Sequence, residues 1–107
     1  MKSTPFVKLI AVGKGSFSLT GELTFSSVPG LWRESKRLFA DATKEIVLDL
    51  EEVVRTDSAG LALMVEWLRQ AKIRKITIRF QNVPKQMISL AETTEVSAFL
   101  GENTELL

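Results

Sequence analysis

Four short segments of this 107-residue chain carry strand-like apolar patterns, and the stretches between them repeat apolar residues at helical spacing. Residues 7–12 are apolar and β-branched, and Gly13-Lys14-Gly15 signals a turn. Residues 16–20 alternate, with Phe17 and Leu19 on one face. Together they predict two strands in a tight hairpin, the second ended by Gly21. Ser26-Ser27-Val28-Pro29 has the form of a helix start, a Ser cap with Pro in the first turn. Val28, Leu31, Trp32, Ser35, Leu38 and Phe39 follow at the spacing of one helix, with Lys36 and Arg37 near its end, where the helix dipole favours cations. Ile46, Leu48 and Leu50 alternate in a third strand, a short polar turn follows, and a second helix runs from Ser58 to about Ala71. Ile76, Ile78 and Phe80 alternate with Thr77, Arg79 and Gln81 in a fourth strand. Pro84 opens a short helix carrying Met87, Leu90 and Ala91. Val96, Phe99 and Leu100 suggest a further turn or two before Gly101-Glu102-Asn103.

The order is therefore β-β-α-β-α-β-α-α, expected as one domain over residues 1–107. The polar half of the fourth strand matters most. A strand buried on both faces would be apolar throughout, so helices should cover mainly one face of the sheet. The expected fold is a two-layer α/β domain with a small sheet. The third strand, second helix and fourth strand form a βαβ crossover, expected to be right-handed. The third strand leads into Asp57-Ser58 at its C-terminal end, the end where open α/β sheets tend to bind ligands.

Composition narrows the chemistry. Apolar residues make up 45% and charged residues 25%, and the net charge is +1. Neither nucleic acid nor an acidic membrane is called for as a partner. Cys, His and Tyr are all absent. Disulfides and thiolate metal sites are excluded, and the commonest general base and metal ligand are missing. No enzyme, cofactor or metal is expected. No apolar run approaches the roughly 20 residues of a membrane span, and residues 1–5 lack a signal-peptide apolar region. A soluble cytoplasmic protein without direct membrane insertion is the expectation.

The second helix carries more apolar surface than a simple outer helix needs. At 100° per residue, Leu61, Met64, Val65 and Leu68 form a core stripe. Ala59, Leu63 and Trp67 fall on roughly the opposite side, with Gly60 and Ala71 near them; only Glu66, Arg69 and Gln70 interrupt the apolar surround. One reading is a partner-docking face anchored by Trp67, a residue type common among interface hot spots. The other is that neighbouring helices cover Trp67 within the domain. For Leu63 the docking face is the expectation. Leu63→Arg would then break a complex and leave the melting temperature nearly unchanged.

The helix start at Asp57-Ser58 also admits more than one use. Thr56, Asp57 or Ser58 could each be an ordinary cap, typically contributing ~1 kcal/mol. Gly60, in the first helical turn, costs ~1 kcal/mol of helix propensity against Ala, which a close approach by another backbone or a ligand would explain. A phosphate on Ser58 would gain from the helix N-terminus but would be opposed by Asp57. An unmodified Ser58 would instead let a partner surface approach.

The run Arg55-Thr56-Asp57-Ser58-Ala59-Gly60-Leu61-Ala62-Leu63, following the strand at 46–50, resembles the signature of STAS domains, and the likeness extends over essentially the whole chain. It implies a small mixed sheet with helices mainly on one side. Together with Glu66-Trp67-Leu68 and with Gln81-Asn82-Val83-Pro84 before Leu90-Ala91, the run is similar to STAS subunits of an ABC system that moves phospholipid between the membranes of Gram-negative bacteria. That likeness implies a non-catalytic subunit that binds and supports the transporter's ATPase, serving outer-membrane lipid asymmetry. Through that partner it would lie at the inner face of the inner membrane. Ser58 matches the position that is phosphorylated in the family's anti-sigma factor antagonists and that meets the ATPase in the transporter type. Asp57, Ala59 and Gly60 match the motif around it. The expected partner-binding residues are Thr56, Asp57, Ser58, Ala59 and Gly60, with Leu63 and Trp67 added from helical geometry alone. The alternative is an anti-sigma factor antagonist switched by a kinase at Ser58. A carrier of lipid or another small ligand would need an internal cavity for which so short a chain leaves little room.

Overall fold

The computed structural model describes residues 7–40 and 44–93. The expected hairpin forms from β1 (Val7–Gly13) and β2 (Ser16–Leu23), antiparallel, with Gly15 at φ 71° in the turn between them. Gly21 does not end β2. It takes φ 106°, the pairing with the next strand shifts register there, and β2 continues to Leu23. A residue without Cβ takes that conformation, and β2 goes on opposite the extra residue of β3, Val54.

The helix expected after β2 is two helices, α1 (Val28–Arg33) and α2 (Lys36–Ala40). Between them the backbone tightens into i→i+3 bonds, Glu34 N–H to the Leu31 carbonyl at 2.9 Å and Leu38 N–H to the Ser35 carbonyl at 3.0 Å. The Ser cap is also absent. Ser27 makes no side-chain cap bond; its hydroxyl donates to the Glu22 carbonyl at 2.6 Å and accepts from Thr24 N–H at 3.0 Å, fixing the turn out of β2.

The third strand, β3 (Glu45–Thr56), is longer than the sequence pattern suggested. Its buried positions run Ile46, Leu48, Leu50 and then Val53 and Thr56, so the period changes from two to three. The register shifts in the β2–β3 ladder account for that change. The stretch read as a polar turn is therefore strand, and one residue, Asp57, joins it to α3 (Ser58–Ile73). β4 (Thr77–Gln81) and α4 (Lys85–Thr93) complete the described elements. The final helical turns suggested by Val96, Phe99 and Leu100 lie outside the described residues.

The sheet order is β1-β2-β3-β4, with the β2–β3 and β3–β4 pairs parallel. Leu9, Phe17, Leu19, Leu23, Ile46, Leu48, Leu50, Ile78 and Phe80 point into one core shared with the helices. The alternate positions, among them Ser18, Thr20, Asp49 and Arg79, are half-buried or exposed. This is the two-layer mixed architecture that the sequence implied. β3 pairs with β4 only from Glu45 to Asp49, so on that side residues 50–56 rely on other acceptors. Side chains supply some of them: Glu51 N–H bonds the Asp49 carboxylate at 2.9 Å, and Thr56 N–H bonds the Gln86 side chain at 3.1 Å.

Candidate functional site: the start of α3

The end of β2, the end of β3 and the first turn of α3 meet at Asp57. Asp57 takes an extended conformation and caps α3, its Oδ1 accepting Ala59 N–H at 2.9 Å. Its Oδ2 accepts Phe25 N–H at 3.0 Å, and its own N–H donates to the Leu23 carbonyl at 3.1 Å. One carboxylate thus fixes the helix start and the loop leaving β2. The Asp57 carbonyl accepts the N–H groups of Gly60 and Leu61, as the first helical bonds require.

Gly60 is explained from within the chain. A Cβ there would sit 2.8 Å from the Leu23 carbonyl oxygen and collide with the Thr56 hydroxyl. The extension of β2 past Gly21 puts Leu23 in that place. Thr56 is buried beneath, its hydroxyl donating to the Asp57 carbonyl at 3.2 Å. Thr56 and Gly60 therefore shape the junction from below and offer a partner no surface. Ser58 is exposed, and its hydroxyl takes no hydrogen bond among the described residues; Ala59 is half-buried.

Leu63 and Trp67 correct the sequence reading. Leu63 is 4% exposed and Trp67 fully buried, so neither lies on a docking face; Leu63 departs from the expectation, and of the two readings of Trp67 the covered one holds. Trp67 Nε1–H donates to Ser35 Oγ at 2.6 Å, which ties α3 to the break between α1 and α2. The helix pair that the sequence pattern merged is what covers the second apolar stripe. The outward line of α3 runs instead through Ser58, Ala62 and Arg69, with half-buried Val65 and Glu66 beside it. That line is one residue, about 100°, away from Ala59-Leu63-Trp67. Along it Glu66 is held below the usual carboxylate range, first by the hydrogen bond from Gln70 and then by Arg69.

The residue that sequence reasoning missed is Phe25. It is 81% exposed, and its backbone is bonded to the same carboxylate that caps α3. It belongs to no strand or helix period. A large apolar residue between Thr24 and Ser26 and outside any periodic pattern was the available signal. Ser58 and Phe25 thus give a small, shallow surface with one aromatic, one free hydroxyl and no acid–base pair. The helix N-terminus beside it is already partly occupied by Asp57.

Among the described residues no group of three or more acids could hold a metal ion, and no helix is long and apolar enough to cross a membrane. A family model described as "Mlab, STAS domain" matches residues 11–102. A curated relative, the intermembrane phospholipid transport system binding protein MlaB of Haemophilus influenzae, is 27% identical over 86 residues, covering 78% of this chain and 82% of the relative. The solved structure of the anti-sigma factor antagonist SpoIIAA in its unphosphorylated form has the same fold, with a TM-score of 0.62 and 20% identity over 80% of this chain and 81% of that one. The strand-to-helix junction and the mixed sheet around it therefore have a family, and the chain belongs to the STAS domains.

Proposed function

We propose that this protein is a non-catalytic STAS subunit that docks on the ATPase of an ABC transporter for phospholipid and supports its assembly and activity. It would work in the cytoplasm, held at the inner face of the inner membrane by that partner. The observation that carries the reading is the surface built on Asp57: an exposed, unengaged Ser58 next to the 81% exposed Phe25. Small residues at Ser58, Ala59 and Ala62 let another protein come close, and Phe25 supplies an aromatic anchor. The curated relative, a transport-system binding protein, points in the same direction. The chain holds no His, Cys or Tyr with which to run chemistry there.

Capture of the cognate ATPase by the full chain tests this reading. Ser58→Asp and Phe25→Ser should each weaken capture, on the order of tenfold or more for an anchor residue. Retained wild-type affinity in both variants would rule out this surface as the docking site.

One observation favours a second reading, an anti-sigma factor antagonist switched by phosphorylation. The Ser58 hydroxyl is exposed and free, and so is open to a kinase. Against it, the Asp57 carboxylate already takes Ala59 N–H, one of the groups that a phosphate would use. Intact-mass measurement of protein from its native cell separates the two. A phosphorylated species that disappears in Ser58→Ala supports the switch; its consistent absence removes it.

A further inference from the structure

A contact limited to Phe25 and Ser58 is too small for a stable complex, which buries about 800 Å² on each partner. The docking surface must extend, and the molecule offers one direction with suitable chemistry. At the far end of α1 from Phe25 lies a solvent-open groove of about 510 Å³, between α1–α2 and the second half of α3. Along α3, twelve residues or about 18 Å separate Ser58 from Gln70 on the groove wall, a span within reach of one docked protein.

The groove combines exposed aromatic surface with unopposed positive charge. Trp32, 42% exposed, and Phe39 provide the apolar lining. Arg33, Lys36 and Arg74 provide three cations, and no acidic residue lines the groove among the described residues. Of the described acids nearby, Glu34 pairs with Arg37 at 3.0 Å, and Glu66 pairs with Arg69 at 3.1 Å and accepts from Gln70 at the groove's edge. Arg33 and Lys36 have no acidic partner among the described residues, and Arg74 lies over the Phe39 ring at 4.9 Å. Trp and Arg are the residue types most enriched where binding energy concentrates.

We propose that the partner docking on the start of α3 also seats an acidic segment in this groove, with an apolar side chain of that segment packed on Trp32 and its carboxylates facing Arg33, Lys36 and Arg74. The inference rests on the ATPase reading above and adds the chemistry of the second contact. Charge complementarity selects the occupant. A basic segment would meet three cations, and a purely apolar one would strip them of water without giving them a partner.

The test measures the affinity of the full chain for the cognate ATPase at two salt concentrations. The variants are Arg33→Glu with Lys36→Glu, and Trp32→Ala. All three positions are exposed, so the thermal midpoint should stay within about 2 °C of wild type. The charge reversal should weaken binding by about tenfold or more at low salt and abolish the fall in affinity that salt causes in the wild type. Trp32→Ala should weaken binding by about fivefold or more at both salt concentrations. If both variants bind within about twofold of wild type while Ser58→Asp breaks the complex, the groove is not part of the interface and the functional reading survives. Tighter binding by the charge reversal would show a basic occupant and overturn the proposal. If the wild type does not bind the ATPase at all, the functional reading falls and the assignment of the groove falls with it.

Discussion

The start of α3 and its middle look alike in sequence and do opposite jobs. Both present small or apolar residues away from the core stripe that runs through Leu61, Met64 and Leu68. At the middle, Leu63 and Trp67 are sealed under the domain's own helices, and Trp67 spends its one donor on Ser35. At the start, Ser58 stands in solvent above a buried layer of Thr56, Gly60 and Leu23. The difference lies in what covers the helix. A helical wheel gives angles, but the number of neighbours around the wheel comes from elements elsewhere in the chain. Here α1, α4 and the sheet all touch α3, which leaves it a narrow outward strip.

Substitutions at the middle should therefore damage the fold and leave nothing specific to say about binding. Trp67→Ala has the largest expected effect. It removes a fully buried indole and leaves the Ser35 hydroxyl without its donor. A loss of about 3–5 kcal/mol in urea unfolding is expected, from the cavity and the lost packing. Leu63→Arg belongs with it: a charge placed at a 4% exposed position should lower the melting temperature sharply. An unchanged melting temperature in Leu63→Arg would restore the outward face that the sequence suggested. Gly60→Ala should cost less, about 2–3 kcal/mol, because overpacking against the Leu23 backbone outweighs the gain of ~1 kcal/mol in helix propensity. A stabilised Gly60→Ala protein would mean that β2 does not approach the helix as closely as described.

The sequence pattern carried the fold because most of its elements obey a simple period. Phe17 and Leu19, Ile46 to Leu50, and Ile78 with Phe80 each alternate, and each lies on the covered face. Where a period breaks for a structural reason, sequence reading went astray. Two register shifts, opposite Ser18–Thr20 and opposite Gly21–Glu22, move the buried positions of β3 from Leu50 to Val53 and then Thr56, so a strand resembled a turn. The step at Glu34-Ser35 keeps apolar residues close to helical phase, so two helices resembled one. That second misreading bears on the third: cover of Trp67 by neighbouring helices was one of its two readings, and the step between α1 and α2 that supplies Ser35 to it was not visible in the pattern. At the candidate site residue type gave a cap within Thr56–Ser58 and a close approach at Gly60; the structure picks Asp57 as the cap and Leu23 as the neighbour. Phe25 does not, because it acts alone and through a backbone bond to a residue 32 positions away.

Asp57 lies on the boundary between the two behaviours. Asp57→Ala removes the cap on Ala59 and the acceptor for Phe25 N–H together. A destabilisation of about 1–2 kcal/mol is expected in chemical denaturation. Partner binding should fall as well, since the loop bearing Phe25 loses its tether. Asp57→Asn keeps one acceptor oxygen but turns an NH2 donor toward the other backbone N–H, so it should recover only part of the stability. If Asp57→Ala proves neutral, Asp57 is not what joins the two segments.

The smallest effect on stability is expected at Ser58, and it tests the comparison most directly. The side chain is exposed and bonded to nothing described, so little in the folded state depends on it. In Ser58→Asp the new carboxylate gains from the helix N-terminus and loses to Asp57 beside it, and the two terms oppose each other. Unfolding free energy should stay within about 0.5 kcal/mol of wild type. Affinity for the partner should nevertheless fall on the order of tenfold, because a charge at the centre of a dry contact must be stripped of water. That separation is what a surface used for contact produces and what a simple helix cap does not. A Ser58→Asp protein that loses stability in proportion to binding would make Ser58 an ordinary structural residue, no different in kind from Leu63 and Trp67 farther along the same helix.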